Sequence, residues 1–273
     1  MEYISARLPN RARRSRRLVF SRIECRWRWK HCYQVPGGVP RLFYIGGLTL
    51  CDLSVFVDES GMQEGATEYY VVTCVLHDQS DDIYGTIAGY EQSLRDKGLP
   101  DIPFHATPLL RAHDEYSNLD IEDRKGLLVA FSLLVKRLPI RYRTFVYRSR
   151  EFGDARRLQA LIRRDLVAML VDHLDYFQSF DHVKIYYDHG QTTVTSALTD
   201  AFEYALAKDA AIPREPDYHG FRLSQVADYL CAIELTAQKY ADRRETSTDE
   251  RFFGGSQAFR RNWLKQARRK RLE

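Results

Sequence analysis

The sequence predicts an α/β fold in which helices pack on both faces of a mixed β-sheet. Two strand-like segments come first and suit an N-terminal β-hairpin, and the segments after them alternate between helical and extended patterns. The composition agrees, because 44% of the 273 residues are hydrophobic and 12% are aromatic, which is typical of a globular protein with a real core.

The hairpin is predicted from two runs of different character. Residues 53–57 are continuously apolar, as in a strand buried on both faces, and residues 69–76 are rich in β-branched and aromatic side chains. The stretch 61–65 begins and ends with glycine, which favours a turn between the two strands.

The later elements follow from apolar periodicity and from the residues that stop helices. Gly98 and Pro100 end the first predicted helix, and Pro139 ends the second. In chain order, we expect a helix over 81–97, an extended piece over 102–107, a helix over 119–138, a strand over 141–147, a helix over 155–178, a strand over 183–187, a helix over 193–208 and a last core helix over 223–240.

The charge is distributed unevenly along the chain. Residues 1–50 carry 11 basic and 2 acidic side chains, and residues 260–273 carry 7 basic and 1 acidic, so the overall charge of +4 leaves −11 for the residues between them. The basic ends and the acidic body exclude a uniformly basic surface.

The N-terminal 50 residues are predicted to be a basic extension rather than part of the folded domain. They interleave arginines with Trp27 and Trp29 without a clear helix or strand period. Such a segment is typical of a disordered leader or of an upstream extension that a misplaced start codon adds, and it has a superficial likeness to an organelle transit peptide. The alternative is an arm that binds phosphates and stacks on bases.

The domain is predicted to span residues 51–253, with a basic C-terminal segment over 254–273. That segment follows Gly254 and Gly255. We expect either a short basic helix, hinged on these glycines and able to hold a nucleic-acid backbone near the acidic body, or a solvated tail.

Several classes of protein lack their signatures here. The chain has no apolar run long enough to span a membrane and no secretory signal, which predicts a cytoplasmic protein. Its five cysteines include no C-x-x-C pair, which favours reduced thiols over disulfides or structural zinc. The motifs of P-loop nucleotidases, Rossmann oxidoreductases, serine hydrolases and zincins are also missing.

Three aspartates are the candidate metal ligands. Asp58 and Asp188 each follow an apolar strand, and acids at the carboxyl ends of neighbouring strands can converge. Asp228 is the third, as the only charge in three turns of the last core helix, on a face whose neighbours are also apolar. Such a carboxylate needs a cation, and the alternative to a metal is a buried salt bridge, for instance to Arg222.

Convergent carboxylates predict Mg²⁺ or Mn²⁺, which prefer oxygen ligands and can activate water for phosphodiester hydrolysis. His105, in a loop that meets the sheet, is a candidate to orient a phosphate or to shuttle a proton, or else a structural histidine. Glu59, Gln191 and Gln225 flank the aspartates and are candidates for supporting hydrogen bonds or for ordinary caps and turns.

Four short motifs together resemble the domain of unknown function 3800 family. They are Val55-Phe56-Val57-Asp58-Glu59-Ser60-Gly61, Phe104-His105-Ala106, Ile185-Tyr186-Tyr187-Asp188-His189-Gly190-Gln191 and Ser224-Gln225-Val226-Ala227-Asp228, and they span about residues 53–240.

The resemblance implies a bacterial or phage-associated protein with a ribonuclease H-like fold, in which acids on the first strand, a later strand and a late helix hold divalent metal. Asp58, Asp188 and Asp228 would be those acids, with His105 as an accessory, and Glu59 or Glu91 would be the fourth acid that such sites commonly have. The family usually begins shortly before its first aspartate, in agreement with residues 1–50 being an extension.

These observations predict a metal-dependent nuclease that cleaves DNA or RNA, in mobile-element or phage defence. The alternative is a non-catalytic module on the same fold that binds nucleic acid or protein, because one scaffold can host unrelated tasks.

Overall fold

A four-stranded mixed sheet forms the centre of the computed structural model, which describes residues 51–61, 68–187, 191–206 and 222–273. These residues belong to one compact unit of the chain. The predicted basic extension over residues 1–50 lies outside the described residues. The strands, in chain order, are β1 (Asp52–Ser60), β2 (Tyr69–Asp78), β3 (Arg141–Arg148) and β4 (His182–Tyr187).

The sheet has the order β3-β2-β1-β4, and only one of its three pairings is parallel. β1 and β2 form the predicted antiparallel hairpin, in which Asp58 lies opposite Thr73. β4 runs parallel to β1 on its other side and places Tyr187 beside Val57. The last residues of β1 and β4 therefore lie at the same edge of the sheet.

Eleven α-helices surround the sheet in the described part of the chain, and a single π-helical turn is inserted near the C-terminus. The helices are α1 (Tyr84–Asp96), α2 (Ala106–Arg111), α3 (Ile121–Arg137), α4 (Ser149–Phe152), α5 (Ala155–Asp172), α6 (Leu174–Gln178), α7 (Thr192–Leu206), α8 (Arg222–Ala241), α9 (Ser247–Phe253), α10 (Ser256–Phe259) and α11 (Lys265–Arg268), with the π turn at Arg260–Leu264.

Helices cover both faces of the sheet, as the alternation of side chains along the strands requires. On one face, Phe56 of β1 and Val75 of β2 belong to a core shared with α1, α3 and α8. On the other face, Val55 and Val57 belong to a second core shared with α5 and α7. The α/β class, the mixed sheet and the N-terminal hairpin are thus confirmed.

The boundaries of the predicted elements lie within about three residues of the observed ones, except at two places. The extended piece predicted over 102–107 is shorter, because α2 already begins at Ala106, directly after the extended residue His105. The helix predicted over 155–178 is two helices, with a break at His173, whose backbone leaves the helical region. The predicted turn over 61–65 and the end of the helix predicted over 193–208 lie partly outside the described residues.

The C-terminal segment is helical and packs on the domain, so the solvated tail expected as an alternative is wrong. Phe259, Ala267 and Leu272 are buried. The backbone of Tyr142 in β3 donates a hydrogen bond to Lys270 and accepts one from Leu272. The segment therefore continues the domain beyond the predicted boundary at residue 253.

The described helices and cysteines can be compared with what the sequence predicts about membrane spans and disulfides. None of the described helices combines the length and the apolar character needed to span a membrane. In the part of the chain that the structure describes, Cys51, Cys74 and Cys231 form no disulfide, and burial raises the pKa of the Cys74 thiol to about 12.

Candidate functional site

A cleft of about 890 Å³ opens where the end of β1 meets α2, α8 and the start of α9. Four of the predicted site residues line it, namely Asp58, Glu59, His105 and Asp228. The cleft thus joins residues that are up to 170 positions apart in the sequence.

Asp58 reaches the cleft because β1 continues three residues beyond its apolar run. Its side chain shares the face of Phe56 and points toward α8, as the alternation along a strand dictates. Burial of the carboxyl group, followed by the negative charges of Asp228 and Glu59, holds the pKa of Asp58 well above its usual range. The Asp58 carboxylate therefore binds a proton more tightly than an exposed carboxylate does, and a nearby cation would stabilise its charged form.

Asp228 approaches Asp58 from the middle of α8. Its Oδ2 accepts a hydrogen bond of 3.0 Å from the backbone N–H of Ala106, the first residue of α2. His105 Nδ1 lies 3.5 Å from the same oxygen. The start of α2 thus fixes the Asp228 carboxylate. The side chain still faces the cleft, because 20% of it is exposed.

Arg222, the alternative partner considered for Asp228, binds other carboxylates. Arg222 donates to Asp101 at 2.5 Å and to Glu91 at 3.2 Å, so the alternative of a salt bridge between Arg222 and Asp228 is wrong. The same contacts keep Glu91 in an ion pair outside the cleft lining. Of the two candidates for a fourth acid, only Glu59 lines the cleft.

Glu59 and Gln191 interact on the other side of β1. Glu59 follows Asp58 and shares the face of Val57, where the Tyr187 hydroxyl donates a hydrogen bond to its carboxylate. Burial raises the pKa of Glu59. Gln191 donates its backbone N–H to the Tyr187 hydroxyl at 2.9 Å and accepts from the Tyr70 hydroxyl at 2.9 Å. Gln191 thus supports the ends of β1 and β4 from behind the cleft, whereas Glu59 lines the cleft but directs its carboxylate toward Tyr187.

Gln225 and Tyr116 hold the loop that carries His105. Gln225 is fully buried, and its Oε1 accepts a hydrogen bond of 3.1 Å from the backbone N–H of Phe104. The Tyr116 hydroxyl donates to the Pro103 carbonyl at 2.7 Å and accepts from the His105 backbone at 3.0 Å. His105 is thus presented by a fixed backbone, and its own ring remains 39% exposed. A supporting role for Gln225 could be predicted from the sequence, whereas no signal pointed to Tyr116.

Asp188, the third predicted metal ligand, lies outside the described residues. Among those that are described, no three His, Cys, Asp or Glu side chains gather closely enough to hold a metal ion. The donors that do converge, Asp58 and Asp228, are carboxylates of the kind that Mg²⁺ and Mn²⁺ bind. A divalent cation would also offset the charge repulsion that, after burial, helps to raise the pKa of Asp58. The described part of the site therefore fits such an ion in its chemistry.

The far wall of the cleft carries cations that the sequence pattern did not single out. Lys239 forms an ion pair of 3.2 Å with the buried Asp249, and Arg244 forms one of 2.7 Å with Glu68. Arg111, at the end of α2, is exposed and forms no ion pair with any described residue. The helical repeat could have predicted Lys239, because positions 228 and 239 are about three turns apart and lie on the same side of α8.

Comparison with known proteins found no matching protein-family model, no matching curated protein and no matching solved structure. The resemblance to the domain of unknown function 3800 family stays a prediction that rests on the four motifs.

Proposed function

We propose that this protein is a cytoplasmic, divalent-metal-dependent nuclease that hydrolyses phosphodiester bonds of DNA or RNA. The observation that carries the proposal is the convergence of Asp58 and Asp228 in one cleft, where burial, followed by the charge of Asp228, raises the pKa of Asp58. Two carboxylates brought together are costly for the fold unless a proton or a cation offsets their charges, and a bound divalent cation is the partner that we infer.

The arrangement of the elements supports a ribonuclease H-like fold for the proposal. The resemblance implies acids on the first strand, on a later strand and on a late helix. Here β4 lies parallel and adjacent to β1, and α8 packs across β1 and β2. Asp188, in the sequence position that follows β4, is proposed as the third ligand.

Mg²⁺ or Mn²⁺ bound by these acids would activate water and stabilise the leaving oxygen of a phosphodiester. The chain's own residues hold this site in place. The Ala106 N–H fixes the direction of the Asp228 carboxylate. Gln225 and Tyr116 fix the backbone that leads into His105. His105, oriented through Nδ1 by Asp228, donates a proton to the leaving oxygen from its other ring nitrogen.

The test is cleavage of a panel of single-stranded and double-stranded DNA and RNA by the full chain, with Mg²⁺, with Mn²⁺ and with EDTA. We expect cleavage only with a divalent ion. Asp58→Asn and Asp228→Asn should each lower the rate by at least about 100-fold, since losing a ligand is at least as harmful as losing a residue that supports one.

Asp172→Asn is the matched control, because it removes one negative charge from the exposed end of α5. It should cleave as the wild type does. Cleavage that survives in EDTA, or that Asp58→Asn retains in full, would overturn the proposal.

The alternative of a non-catalytic binding module is favoured by one observation, the exposed cations Arg260, Lys265 and Arg269 on the folded C-terminal segment. A binding module would bind the same nucleic acids, cleave none of them with any metal, and show no change in melting temperature on addition of Mn²⁺. The panel and a thermal melt thus separate the two functions.

A further inference from the structure

The C-terminal segment presents a fixed array of positive charge. Together with the end of α8, it forms a groove of about 810 Å³. Four cationic side chains line this groove, namely Arg260, Lys265, Arg268 and Arg269.

Three of these cations are available to a ligand. Arg268 is engaged, because it holds both carboxylate oxygens of the buried Glu234, at 3.1 and 2.7 Å. Arg260, Lys265 and Arg269 are exposed and form no ion pair with any residue that the structure describes. The one acidic side chain of the segment, Glu273, also lines the groove, so the three free cations leave the groove with a net positive charge.

The π turn at Arg260–Leu264 helps to align the array. In an α-helix, side chains five residues apart point about 140° away from each other. The wider winding of a π turn brings Arg260 and Lys265 closer to the same side, and Lys265 and Arg269 share a side through their i, i+4 spacing. Single π turns occur frequently at functional sites.

The groove lies on the opposite side of α8 from the cleft. Asp228 and Lys239 line the cleft, whereas Ala237 and Ala241 line the groove. Ala237 is about two and a half helical turns from Asp228, so the two point in opposite directions. A ligand in the groove therefore does not occupy the cleft.

We propose that this groove binds the phosphate backbone of a nucleic acid, as a second contact surface independent of the acidic cleft. A membrane surface is disfavoured, because the apolar side chains of the segment pack against the domain: Phe259, Ala267 and Leu272 are buried, and Trp263 and Leu264 are partly buried. The large exposed hydrophobic residues of the described chain lie outside residues 256–273. Binding to an anionic bilayer by a helix would need such residues on its outer face.

The test measures how salt weakens the binding of fluorescein-labelled single-stranded and duplex oligonucleotides in EDTA, where the proposed cleavage cannot occur. The variant carries Arg260→Gln, Lys265→Gln and Arg269→Gln in the full chain. Each lost phosphate contact reduces the slope of log K against log salt by about 0.9 for duplex DNA and about 0.7 for single strands. We expect the slope to fall by roughly 2 to 3 and the affinity to fall at least about 10-fold.

The matched control removes three exposed cations elsewhere on the domain. It carries Arg95→Gln in α1, Lys97→Gln just after α1 and Arg150→Gln in α4. It makes the same change in net charge and should keep nearly the wild-type slope. If the triple groove variant does not fold by circular dichroism, the pair Lys265→Gln and Arg269→Gln should give about two thirds of the effect.

An unchanged slope in the folded groove variant, or an equal loss in the control, would overturn the proposal. So would binding to vesicles with 30% phosphatidylserine that depends on the same three cations while oligonucleotide binding does not. Because binding is read without metal, a protein that binds in this way but cleaves nothing would contradict only the proposed nuclease.

Discussion

Asp58 and Asp228 face each other between β1 and α8, and the charge of Asp228 helps to raise the pKa of Asp58. A carboxyl group whose pKa is raised by folding binds its proton more tightly in the folded chain than in the unfolded one. The free energy of unfolding therefore falls as the pH rises above the ordinary value of 3.8 toward the raised one. The site is a point of reduced stability at neutral pH.

Asp58→Asn should raise the melting temperature at pH 7 in EDTA, because asparagine fills the same space without the charge. We expect a rise of at least ~2 °C, since about 1 kcal/mol corresponds to roughly 2 to 4 °C in a domain of this size. The gain should shrink as the pH falls toward 3.8, because the folded carboxyl group is already protonated there and the unfolded one is becoming protonated.

Thermal melts of both proteins from pH 4 to 8 provide the measurement, with Asp172→Asn as a control that should follow the wild type. A variant that is less stable than the wild type at pH 7 would show that the folded protein stabilises the Asp58 carboxylate, which contradicts a raised pKa.

Gln225→Ala should destabilise the loop that presents His105. The change leaves the Phe104 N–H buried and without its acceptor, which costs about 1 to 3 kcal/mol. We expect the melting temperature to fall by several degrees. Gln178→Ala, on the exposed end of α6, should leave it within about 1 °C, and a similar small change in Gln225→Ala would remove Gln225 from the support of the loop.

Much of the fold could be predicted because local patterns decide it. The apolar run of β1 specifies a strand buried on both faces, and α1 gives way at Gly98, whose positive φ suits glycine. The docking of the C-terminal segment could not be predicted, because contacts between distant residues hold it. Tyr142 and Lys270 are 128 positions apart in the sequence, and the charges of the segment conceal its few buried side chains.

The candidate site was only partly predictable for a related reason. The apolar run ends at Val57, so the sequence does not show that β1 continues to Ser60. Once it does, the alternation of side chains separates Asp58, which faces α8, from Glu59, which faces Tyr187. The sequence predicts Asp58 as a metal ligand and leaves Glu59 open between a fourth acid and a supporting residue, and the longer strand shows where each side chain points.

Arg268→Gln should loosen the C-terminal segment. Glu234 is 2% exposed and depends on Arg268 and on the Tyr142 hydroxyl, which donates to it at 2.8 Å. Since Arg268 is partly exposed, we expect a loss somewhat below the ~3 to 5 kcal/mol of a fully buried pair, and a fall in melting temperature of more than about 5 °C.

A double-mutant cycle with Glu234→Gln checks this prediction. Glutamine at position 234 keeps a hydrogen bond to Tyr142 without a buried charge, so it should recover part of the loss that Arg268→Gln causes. Losses that simply add would mean that the two side chains do not depend on each other.

Arg111→Gln should weaken the binding of substrate at the mouth of the cleft without removing the chemistry. Arg111 lines the cleft together with Asp58 and Asp228, is exposed, and has no acidic partner in the described chain. A guanidinium in that position suits a substrate phosphate that lies away from the reacting bond. We therefore expect KM for an oligonucleotide to rise about 10-fold while kcat changes less than about threefold. This is the pattern of a lost contact that binds the ground state and the transition state equally.

Steady-state kinetics with Mn²⁺ would measure both constants, and Arg95→Gln, in the last turn of α1, should change neither. A fall in kcat with KM unchanged would place Arg111 at the reacting phosphate instead.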